Sequence, residues 1–567
     1  MQRLVSTTEE KANVIDSEWK KRINRNIHLR EYLEYWLEYT GSYPNFYTQL
    51  SRDMAKIRRP NVLYPVGDPV YIHIYTRPDG TIIYNPIEPR LKHKKRLEII
   101  SEAEKRLALE IGDRIPKDPE EHEKMLYELL EKVITFSSET KIGKKKLFVT
   151  REDFERLKYE LYCEKIGVSL LEPFARDPWI EDISCSGIGP IYLVHKVFGE
   201  IESSITFKTM EELDEFIIRL SEIIGKPISH RNPIVDATLP DGSRINIVFG
   251  KDISRRGSNF TIRKFSGKPL SITRLIKFGT MDSRIAAYLW MLLLEGMSIW
   301  VSGETASGKT TTLNAMAVFI RPTAKIVTIE DTPEVRVPHG NWVREVVRQL
   351  QSKSEDDYTS VTMFGLLKAA LRQRPNYIIV GEIRGREGSV AFQAMQTGHP
   401  VLATFHAASV QRLIQRITGN PINIPKTYID NLNAVIIQSA VHDPETGKFK
   451  RRVISVNEII GYDPVESRLQ FIEVFAWDPA NDGFIFRGMG SSYLFETKIA
   501  LMRGIPAWRI KELYDELELR AKILDLLVKM EIFDYDEVWE KIKWIYRVGL
   551  EEAYSKLRRM AMREGKI

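Results

Sequence analysis

The segment GETASGKTT, residues 303–311, has the residue types and spacing of a loop that binds phosphate groups. It follows the apolar stretch SIWVS and precedes the helical pattern TTLNAMAVFI. Gly303 and Gly308 allow successive backbone N–H groups to turn toward an anion, and the start of the next helix adds positive potential. Lys309 offers a charge to the β- and γ-phosphates, and the hydroxyl of Thr310 is suited to ligate Mg²⁺. We predict that ATP is bound by Gly303, Glu304, Thr305, Ala306, Ser307, Gly308, Lys309, Thr310 and Thr311.

Hydrolysis also needs carboxylates near the phosphates, and the next predicted strand supplies three of them. KIVTIEDTPEV ends with Glu330, Asp331 and Glu334. Ligands of open α/β sheets bind at the C-terminal ends of the strands. We predict that Glu334 polarises the attacking water and that Glu330 joins Thr310 in the Mg²⁺ shell. From this strand alone, a solvated acidic loop would be the better interpretation.

A second strand, NYIIVGEIRG, runs into Glu382. Its apolar residues lead to Gly381, which stands where a magnesium-handling strand usually has an aspartate. A damaged site, a coincidence and a site divided between two strands are all consistent with this pattern. Because the neighbouring strand carries Glu330 and Glu334, we favour the divided site and predict a catalytic role for Glu382.

A third strand, in GHPVLATFHA, has a histidine at each end, His399 and His406. A metal pair is one interpretation, but no cysteine or third histidine completes a zinc set. Satisfied core histidines are another. We predict instead that both histidines orient groups near the γ-phosphate.

The composition fits a folded protein and excludes some kinds of site. The chain has 567 residues, 43% of them hydrophobic, and we expect about two to four domains. Its 83 basic and 77 acidic residues nearly balance, which argues against a protein that mainly coats nucleic acid. Two cysteines exclude a disulfide framework and a four-cysteine zinc site, and they favour the cytoplasm. The most apolar stretch is interrupted by Glu295 and is too short to span a bilayer.

Three regions differ in their patterns. Residues 1–149 hold basic clusters and helical patterns, and we predict a mixed, largely helical region that docks a partner or a membrane; solvated charge on helix faces is the simpler interpretation. Residues 150–268 open with Thr150 and Asp153 in helix-capping spacing and predict an α+β domain. Residues 269–567 alternate buried strands with helices and then become mostly helical, which predicts an α/β domain with a mainly parallel sheet.

Four segments, in chain order, resemble the Walker A, Asp box, Walker B and His box of the type II/type IV secretion ATPases. They are GETASGKTTT, TIEDTPE, IIVGEIRG and GHPVLATFHA. That superfamily drives secretion pseudopili, type IV pili and archaella. NPIVDATLPDGSRINI and FTIRKF resemble its second N-terminal domain, especially in the archaeal branch. The resemblance spans residues 150–480 approximately, and the paired CxxC motifs of many bacterial members are absent, so no zinc module is expected.

The resemblance implies a RecA-like P-loop domain in a ring-shaped homohexamer at the cytoplasmic face of a membrane, with ATP bound between an N-terminal and a C-terminal domain. By position, Glu334 would be the general base and Glu382 the Walker B glutamate, with His399 and His406 in the His box. Arginines of the N-terminal domain reach ATP in this family. The matching motifs here contain Arg231, Arg244 and Arg263.

The function that the resemblance implies is a motor ATPase that assembles or moves a pilus-like filament by acting on a polytopic membrane platform protein. Contact with acidic lipid is an additional expectation, and no nucleic acid is expected. The main alternatives are a RecA-like nucleic-acid translocase and a conjugation-type secretion ATPase. A small-molecule kinase would need a second pocket and a lid, and a non-catalytic switch would not need the catalytic carboxylate.

Overall fold

The computed structural model describes residues 17–112, 116, 119–144, 146–239, 241–264, 268–347, 361–443, 449–463, 465 and 468–567. The chain divides into two compact units, Met1–Ser266 and Gly267–Ile567. Each unit has its own hydrophobic core and its own large sheet.

The first unit is built on one sheet to which ten of the described strands belong. In chain order the strands of this unit are β1 (Asn45–Phe46), β2 (Asn61–Pro65), β3 (Tyr71–Thr76), β4 (Ile82–Ile87), β5 (Ile134–Phe136), β6 (Lys141–Ile142), β7 (Leu147–Val149), β8 (Ile180–Cys185), β9 (Gly189–His195), β10 (Gly199–Phe207), β11 (Ile234–Thr238), β12 (Arg244–Val248) and β13 (Asn259–Arg263). The large sheet has the order β1-β2-β3-β4-β10-β9-β8-β13-β12-β11, and β5, β7 and β6 form a small separate sheet. Strands from both sides of residue 150 therefore share one sheet through the parallel pair β4–β10. The domain boundaries at 149 and 268 stay predictions.

Helices accompany this sheet, and two of them begin at threonine caps, Thr150 and Thr209. They span Ser17–Arg25, Ile27–Thr40, Arg96–Glu110, Pro119–Val133, Arg151–Lys165, Glu172–Arg176 and Met210–Ile223, with short 3₁₀ turns at Arg52–Lys56 and Ser169–Leu171. The hydroxyl of Thr150 accepts a hydrogen bond of 3.1 Å from the backbone N–H of Asp153, which confirms the predicted cap. Alternating burial along β11 and β12 is typical of a sheet with one covered face.

The second unit contains a sheet that is mainly parallel, which confirms the predicted α/β fold. Its described strands are β14 (Ile299–Gly303), β15 (Ile326–Glu330), β16 (Trp342–Val346), β17 (Tyr377–Ile383), β18 (Val401–Phe405), β19 (Ala434–His442), β20 (Phe449–Asp463), β21 (Arg468–Asp478) and β22 (Gly483–Phe486). Their order is β16-β15-β17-β18-β14-β19-β20-β21-β22. The pairs from β16 to β19 are parallel, and those from β19 to β22 are antiparallel. Strands β14, β15 and β18 are buried along their whole length, as expected for a parallel sheet with both faces covered.

Helices cover both faces of this sheet, and a helical extension follows it. The helices span Ile272–Lys277, Ser283–Leu294, Lys309–Met316, Met363–Arg372, Glu387–Gln396, Val410–Thr418, Ala500–Met502, Lys511–Lys529, Tyr535–Val548 and Leu550–Arg563. A π-helical turn lies at Leu494–Ile499, and 3₁₀ turns lie at Ala317–Phe319, Lys426–Asn431 and Ala507–Arg509. The extension was predicted to be helical, and its apolar residues Leu513, Leu517, Ala521 and Leu524 are buried. None of the described helices combines the length and apolar character that crossing a bilayer requires.

The strand order determines which side chains can meet. Strands β15, β17, β18 and β14 are consecutive and parallel, so their C-terminal ends share one edge of the sheet. Gly303, Glu330, Glu382 and His406 therefore come to the same edge, although they are far apart in sequence. That edge is where ligands of open α/β sheets bind.

Candidate nucleotide-binding site

The loop between β14 and the helix Lys309–Met316 has a backbone that requires glycine at two positions. A Cβ atom at residue 303 would lie 2.1 Å from the backbone oxygen of Gln438. Gly308 has a φ of 93°, in the left-handed region, and a Cβ there would lie 2.9 Å from Nε2 of Gln438. Gln438 is buried on β19, and its Oε1 accepts a hydrogen bond of 2.8 Å from the hydroxyl of Thr312. The loop is thus seated directly on β19.

Side chains of the loop stabilise its turn. Nζ of Lys309 donates to the backbone oxygens of Gly303 at 3.0 Å and of Glu304 at 2.8 Å. The buried hydroxyl of Ser307 donates to the same oxygen of Glu304 at 2.8 Å. Burial lowers the pKa of Lys309, Glu382 and Glu334 oppose this effect, and the cation of Arg384 adds to it. The charge of Lys309 therefore interacts with both predicted catalytic carboxylates, Glu334 and Glu382.

The remaining predicted loop residues face outward or line the rim. Glu304, Thr305 and Ala306 are exposed, and Thr310 and Thr311 are half-buried at the start of the helix. Ala306 has a φ of 60°, so a non-glycine residue occupies the left-handed region in the middle of the loop. Nε of Arg451 donates to the backbone oxygen of Ala306 at 3.3 Å, which places a second cation beside the loop.

Glu330, at the end of β15, is 1% exposed and holds the backbone of the next loop. Its Oε1 accepts hydrogen bonds from the backbone N–H groups of Glu334 at 2.7 Å and of Val335 at 2.6 Å. Its Oε2 is buried without a hydrogen-bond partner, and Nε of Arg344 lies 3.8 Å away from it. Burial raises the pKa of Glu330 to about 7, although the two amide hydrogen bonds oppose the change.

Gly381 and Glu382 lie in a bulge of β17. Val380 is paired with Ala403 and Ile383 with Phe405, so β17 has one more residue than β18 between these pairs. Bulges of this kind redirect a side chain and are common next to active sites. The hydroxyl of Thr404 donates to the backbone oxygen of Gly381 at 2.6 Å and fixes the bulge. The bulge directs Glu382 out of the regular alternation of the strand.

Glu382 is paired with a nearby arginine that the sequence analysis did not single out. Nε and Nη2 of Arg384 donate to Oε2 of Glu382 at 3.0 and 2.5 Å. This hydrogen bond raises the pKa of Arg384, and the charges of Asp331 and Glu334 add to the effect. Two carboxylate-bearing segments and the phosphate loop therefore lie within electrostatic reach of one another, with Glu334 exposed at the surface.

The two histidines are separated by the strand that they flank. His406 directly follows β18 and lies at the edge that carries the loop, whereas His399 precedes β18 and lies at the opposite edge. Seven residues of extended chain span roughly 20 Å, so the structure does not bring the two rings together. His399 Nδ1 is 3.1 Å from the hydroxyl of Thr397. The backbone oxygen of His406 accepts a hydrogen bond from Arg416.

The three predicted arginines belong to the first unit and are all exposed. Arg244 on β12 and Arg263 on β13 are paired directly in register, so two cations lie side by side. Like charges in directly opposite positions are unfavourable, and Asp182 on β8, which is in register with Arg263 on its other side, offsets part of this repulsion. Arg231 lies in the turn before β11, next to the bridge between Ser229 and Asn232.

Comparison with protein-family models gives a match to the family described as type II/IV secretion system protein, over residues 167–459. The match covers slightly more than half of the chain and contains all the predicted site residues. The chain belongs to the type II/IV secretion system protein family.

Relatives of this family member include proteins from archaea and bacteria. The uncharacterized protein MJ0900 of Methanocaldococcus jannaschii is 45% identical over 547 residues, covering 94% of this chain and 98% of the relative. The type IV secretion system protein PtlH of Bordetella pertussis is 31% identical over 233 residues, covering 37% of this chain and 68% of PtlH.

Two solved ATPase structures are similar to parts of this chain. The VirB11 ATPase of the Brucella suis type IV secretion system, in complex with sulphate, matches with 24% identity and a TM-score of 0.26, over 50% of this chain and 91% of that one. The Legionella pneumophila ATPase DotB matches with 18% identity and a TM-score of 0.38, over 65% and 93%.

Mg²⁺ is implied by the family resemblance, and two half-buried residues of the site, Thr310 and Glu382, fit it. In nucleotide sites Mg²⁺ takes one or two protein oxygens, with phosphates and water completing its octahedron. Thr310 and Glu382 keep oxygens that are partly accessible, whereas both oxygens of Glu330 are buried and one of them accepts two amides. A role for Glu330 in the metal shell stays a prediction. Within the described residues, no three His, Cys, Asp or Glu side chains are grouped to hold a metal on their own.

Sequence reasoning missed three residues of this family member's site: Arg384, Gln438 and Arg451. Arg384 lies two positions after Glu382 and could have been found as the next charged residue of the same segment. Gln438 and Arg451 lie on strands with no recognisable motif, and only the pairing of β19 with β14 and β20 reveals their proximity to the loop.

Proposed function

We propose that this chain is a motor ATPase that couples ATP hydrolysis to the assembly or movement of a type IV pilus-like filament. The observation that carries the proposal is the convergence of Lys309, Glu334, Glu382 and Arg384 at one edge of a parallel sheet, in a member of the type II/IV secretion system protein family. Phosphate loops in this setting bind the β- and γ-phosphates of a nucleotide.

The chemistry follows from the charges at that edge. The backbone N–H groups of residues 303–309 and Nζ of Lys309 stabilise the negative charge that develops on the phosphates. Exposed Glu334 polarises the attacking water as general base. Bound Mg²⁺ supplies charge neutralisation at the β- and γ-phosphates. Arg384 neutralises Glu382 until a phosphate competes for its guanidinium.

The arginines of the first unit complete this proposal. We assign the stabilisation of the γ-phosphate to Arg231, Arg244 and Arg263. Arg244 and Arg263 are adjacent exposed cations, and Asp182 is in register with Arg263 on its other side. Such arginines change phosphoryl-transfer rates by about 10³–10⁵. In a homohexamer the phosphate would be contacted by arginines of the same or the neighbouring subunit, and hydrolysis would then weaken the closed arrangement of domains.

In this proposal the ATPase exerts force on a protein in a membrane. Successive closures act on a polytopic platform protein at the cytoplasmic face and extend, retract or rotate a pilus, archaellum or secretion pseudopilus. Residues 1–149 are assigned the docking of this platform or of acidic lipid headgroups, because their basic clusters would be attracted to an anionic leaflet.

A nucleic-acid translocase is the rival with the same architecture. It requires DNA-stimulated turnover that falls steeply with salt. ATP turnover should therefore be measured with duplex DNA, with vesicles rich in anionic phospholipid, and with neither, and the mass of the particle should be measured with and without ATP. A hexamer unaffected by DNA supports the motor, and a DNA-stimulated monomer would overturn it.

Three variants test the chemistry. Lys309→Ala is expected to lose nucleotide binding, and normal binding would remove the phosphate-loop assignment. Glu334→Gln and Glu382→Gln should bind ATP and lose turnover by about 10² or more. Glu473→Gln, which changes an exposed carboxylate on β21 paired with Arg487, is the matched control and should keep normal turnover.

A further inference from the structure

The main chain around Glu334 is held by side chains from two different elements. On one side, Oε1 of Glu330 accepts the N–H of Glu334 at 2.7 Å. On the other side, Nδ2 of Asn314 donates to the backbone oxygen of Glu334 at 3.0 Å, and Oδ1 of Asn314 accepts the N–H of Arg336 at the same distance. The amide of Asn314 thereby bonds at both ends to a single three-residue segment.

Asn314 belongs to the helix Lys309–Met316, which begins at the phosphate loop. Asn314 is 8% exposed, and both of its hydrogen bonds to this segment are partly buried. A buried amide would lose these bonds without replacement if either partner moved away. The position of Glu334 is therefore tied to the same rigid helix that carries Lys309 and Thr310.

A residue of the C-terminal helical extension closes this arrangement. The hydroxyl of Tyr535 lies 3.1 Å from the backbone oxygen of Asn314 and 3.2 Å from that of Arg336. A hydroxyl has one proton, so Tyr535 donates to one of these oxygens at a time and bridges the two segments. Tyr535 is 4% exposed and is the first residue of the helix Tyr535–Val548, whose cap residue Asp534 accepts two backbone N–H groups.

We propose that Asn314 and Tyr535 are positioning residues for Glu334, and that through them the C-terminal helical extension sets the geometry of the catalytic loop. This inference rests on the proposed role of Glu334 as general base. Asn314 bonds to the main chain of Glu334 and of Arg336, whereas Tyr535 bonds to the main chain of Arg336 and of Asn314 itself. Tyr535 thus connects the extension to the loop of Glu334.

We call the hydrogen bonds of Asn314 and Tyr535 to the loop of Glu334 the clamp. Removing these bonds should lower kcat, because the rate of hydrolysis depends steeply on the alignment of the general base. Asn314→Leu keeps the size of the side chain and removes both hydrogen bonds to the loop. We expect kcat to fall about ten- to a hundredfold, because a misplacement of about 1 Å can cost about 10²-fold. Tyr535→Phe removes only the hydroxyl, and we expect a loss of about fivefold, which is what one neutral hydrogen bond is typically worth.

The matched control is Tyr546→Phe on the same helix. The hydroxyl of Tyr546 donates to the backbone oxygen of Phe319 at 2.7 Å and accepts from Nε1 of Trp290 at 3.0 Å, so it contacts no part of the Glu334 loop. Its removal should lower thermal stability at least as much as Tyr535→Phe, because it leaves a buried indole N–H unpaired. A purely structural role for Tyr535 would give the two variants the same kcat.

The deciding experiment measures two quantities on the full chain. The first is kcat and KM for ATP in wild type, Asn314→Leu, Tyr535→Phe, Tyr546→Phe and Glu334→Gln. The second is amide hydrogen exchange at residues 334–336. In Asn314→Leu and Tyr535→Phe we expect reduced kcat, with KM changed less than about threefold, together with faster exchange at these amides. Tyr546→Phe should show neither change, and Glu334→Gln should lose kcat without faster exchange.

The outcomes distinguish a failure of the clamp from a failure of the proposed role of Glu334 as general base. Turnover retained by Glu334→Gln would remove the catalytic role of Glu334, and the exchange data would still test the clamp. If Glu334→Gln is inactive while Asn314→Leu and Tyr535→Phe match Tyr546→Phe in kcat and in exchange, the clamp is overturned.

Discussion

A Cβ atom at residue 381 would lie 3.1 Å from Cγ of Glu330 and 3.5 Å from its Oε1. The space in which an aspartate would be expected on β17 is therefore occupied by a glutamate from the neighbouring strand β15. Glycine at 381 gives room for a buried carboxylate that holds the loop of Glu334. The absence of an aspartate at residue 381 and the burial of Glu330 are therefore connected, because the side chain of Glu330 fills the space beside Gly381.

Gly381→Ala should destabilise the second unit by about 1–3 kcal/mol, because the added methyl group overpacks against Glu330. Thermal unfolding of the variant measures the effect. The control is Gly340→Ala, since a Cβ at residue 340 would meet nothing within 4 Å. Gly381→Asp restores the expected aspartate and should be worse than alanine, because it adds a second carboxylate beside one whose pKa burial already raises to about 7. A Gly381→Asp protein as stable as wild type would show that Glu330 does not occupy this space.

Gly303→Ala should impair nucleotide binding without unfolding the protein. The new Cβ would lie 2.1 Å from the backbone oxygen of Gln438 and 2.7 Å from Oγ of Ser307, so the loop must shift away from β19. Overpacking of about 1–3 kcal/mol corresponds to a loss of about one to two decades in affinity. Titration with a fluorescent ATP analogue measures it, with Gly340→Ala again as control. Wild-type affinity in Gly303→Ala would contradict the seating of the loop on β19.

His406 and His399 should differ in their effect on turnover. His406→Ala removes a side chain at the edge that carries the phosphate loop, and we expect turnover to fall about tenfold or more. His399 lies at the other end of β18, so His399→Ala should stay within about threefold of wild type. Steady-state ATPase assays compare the two variants directly. A larger loss in His399→Ala would mean that this histidine acts in a setting beyond a single chain.

The first unit should lose stability in mild acid through His195. Burial lowers the pKa of His195 to about 3, and Lys196 adds to the effect. Nδ1 of His195 accepts the N–H groups of Val197 and Phe198, while Nε2 faces the hydroxyl of Tyr64, which donates to Asp177. The unfolded chain therefore binds the proton first, and stability falls as pH drops below about 6.5, by at most about 1.4 kcal/mol per unit. Denaturation at pH 7 and pH 5 should show a smaller decline in His195→Gln, and an equal decline would contradict the buried neutral ring.

The parts that could be predicted from the sequence are those encoded locally. The phosphate loop has a spacing dictated by backbone turns, so Gly303, Gly308 and Lys309 were identifiable without a structure. Runs of buried apolar residues alternating with helical patterns predicted the parallel sheet for the same reason. The strand order confirms that the strands carrying Glu330 and Glu382 are neighbours, and the roles of these carboxylates stay predictions.

The parts that could not be predicted depend on contacts between distant segments. Tyr535 and Asn314 are 221 residues apart, and no spacing rule joins them. The residue type and position of Glu330 predict a metal ligand. Only the structure shows that Glu330 is buried and accepts two backbone N–H groups of the loop that carries Glu334. His399 and His406 were predicted at the two ends of one strand, but which end shares an edge with the phosphate loop depends on the order and direction of the strands.

Single-turnover hydrolysis of bound ATP is the most direct test of whether this chain hydrolyses ATP with Glu334 as general base. Wild type and Glu334→Gln should be loaded with radiolabelled ATP, and the rate of ADP formation should be followed after Mg²⁺ is added. We expect equal ATP binding and a rate lower by about 10²-fold or more in Glu334→Gln. Equal rates in the two proteins, or no ADP formed by wild type, would contradict the claim.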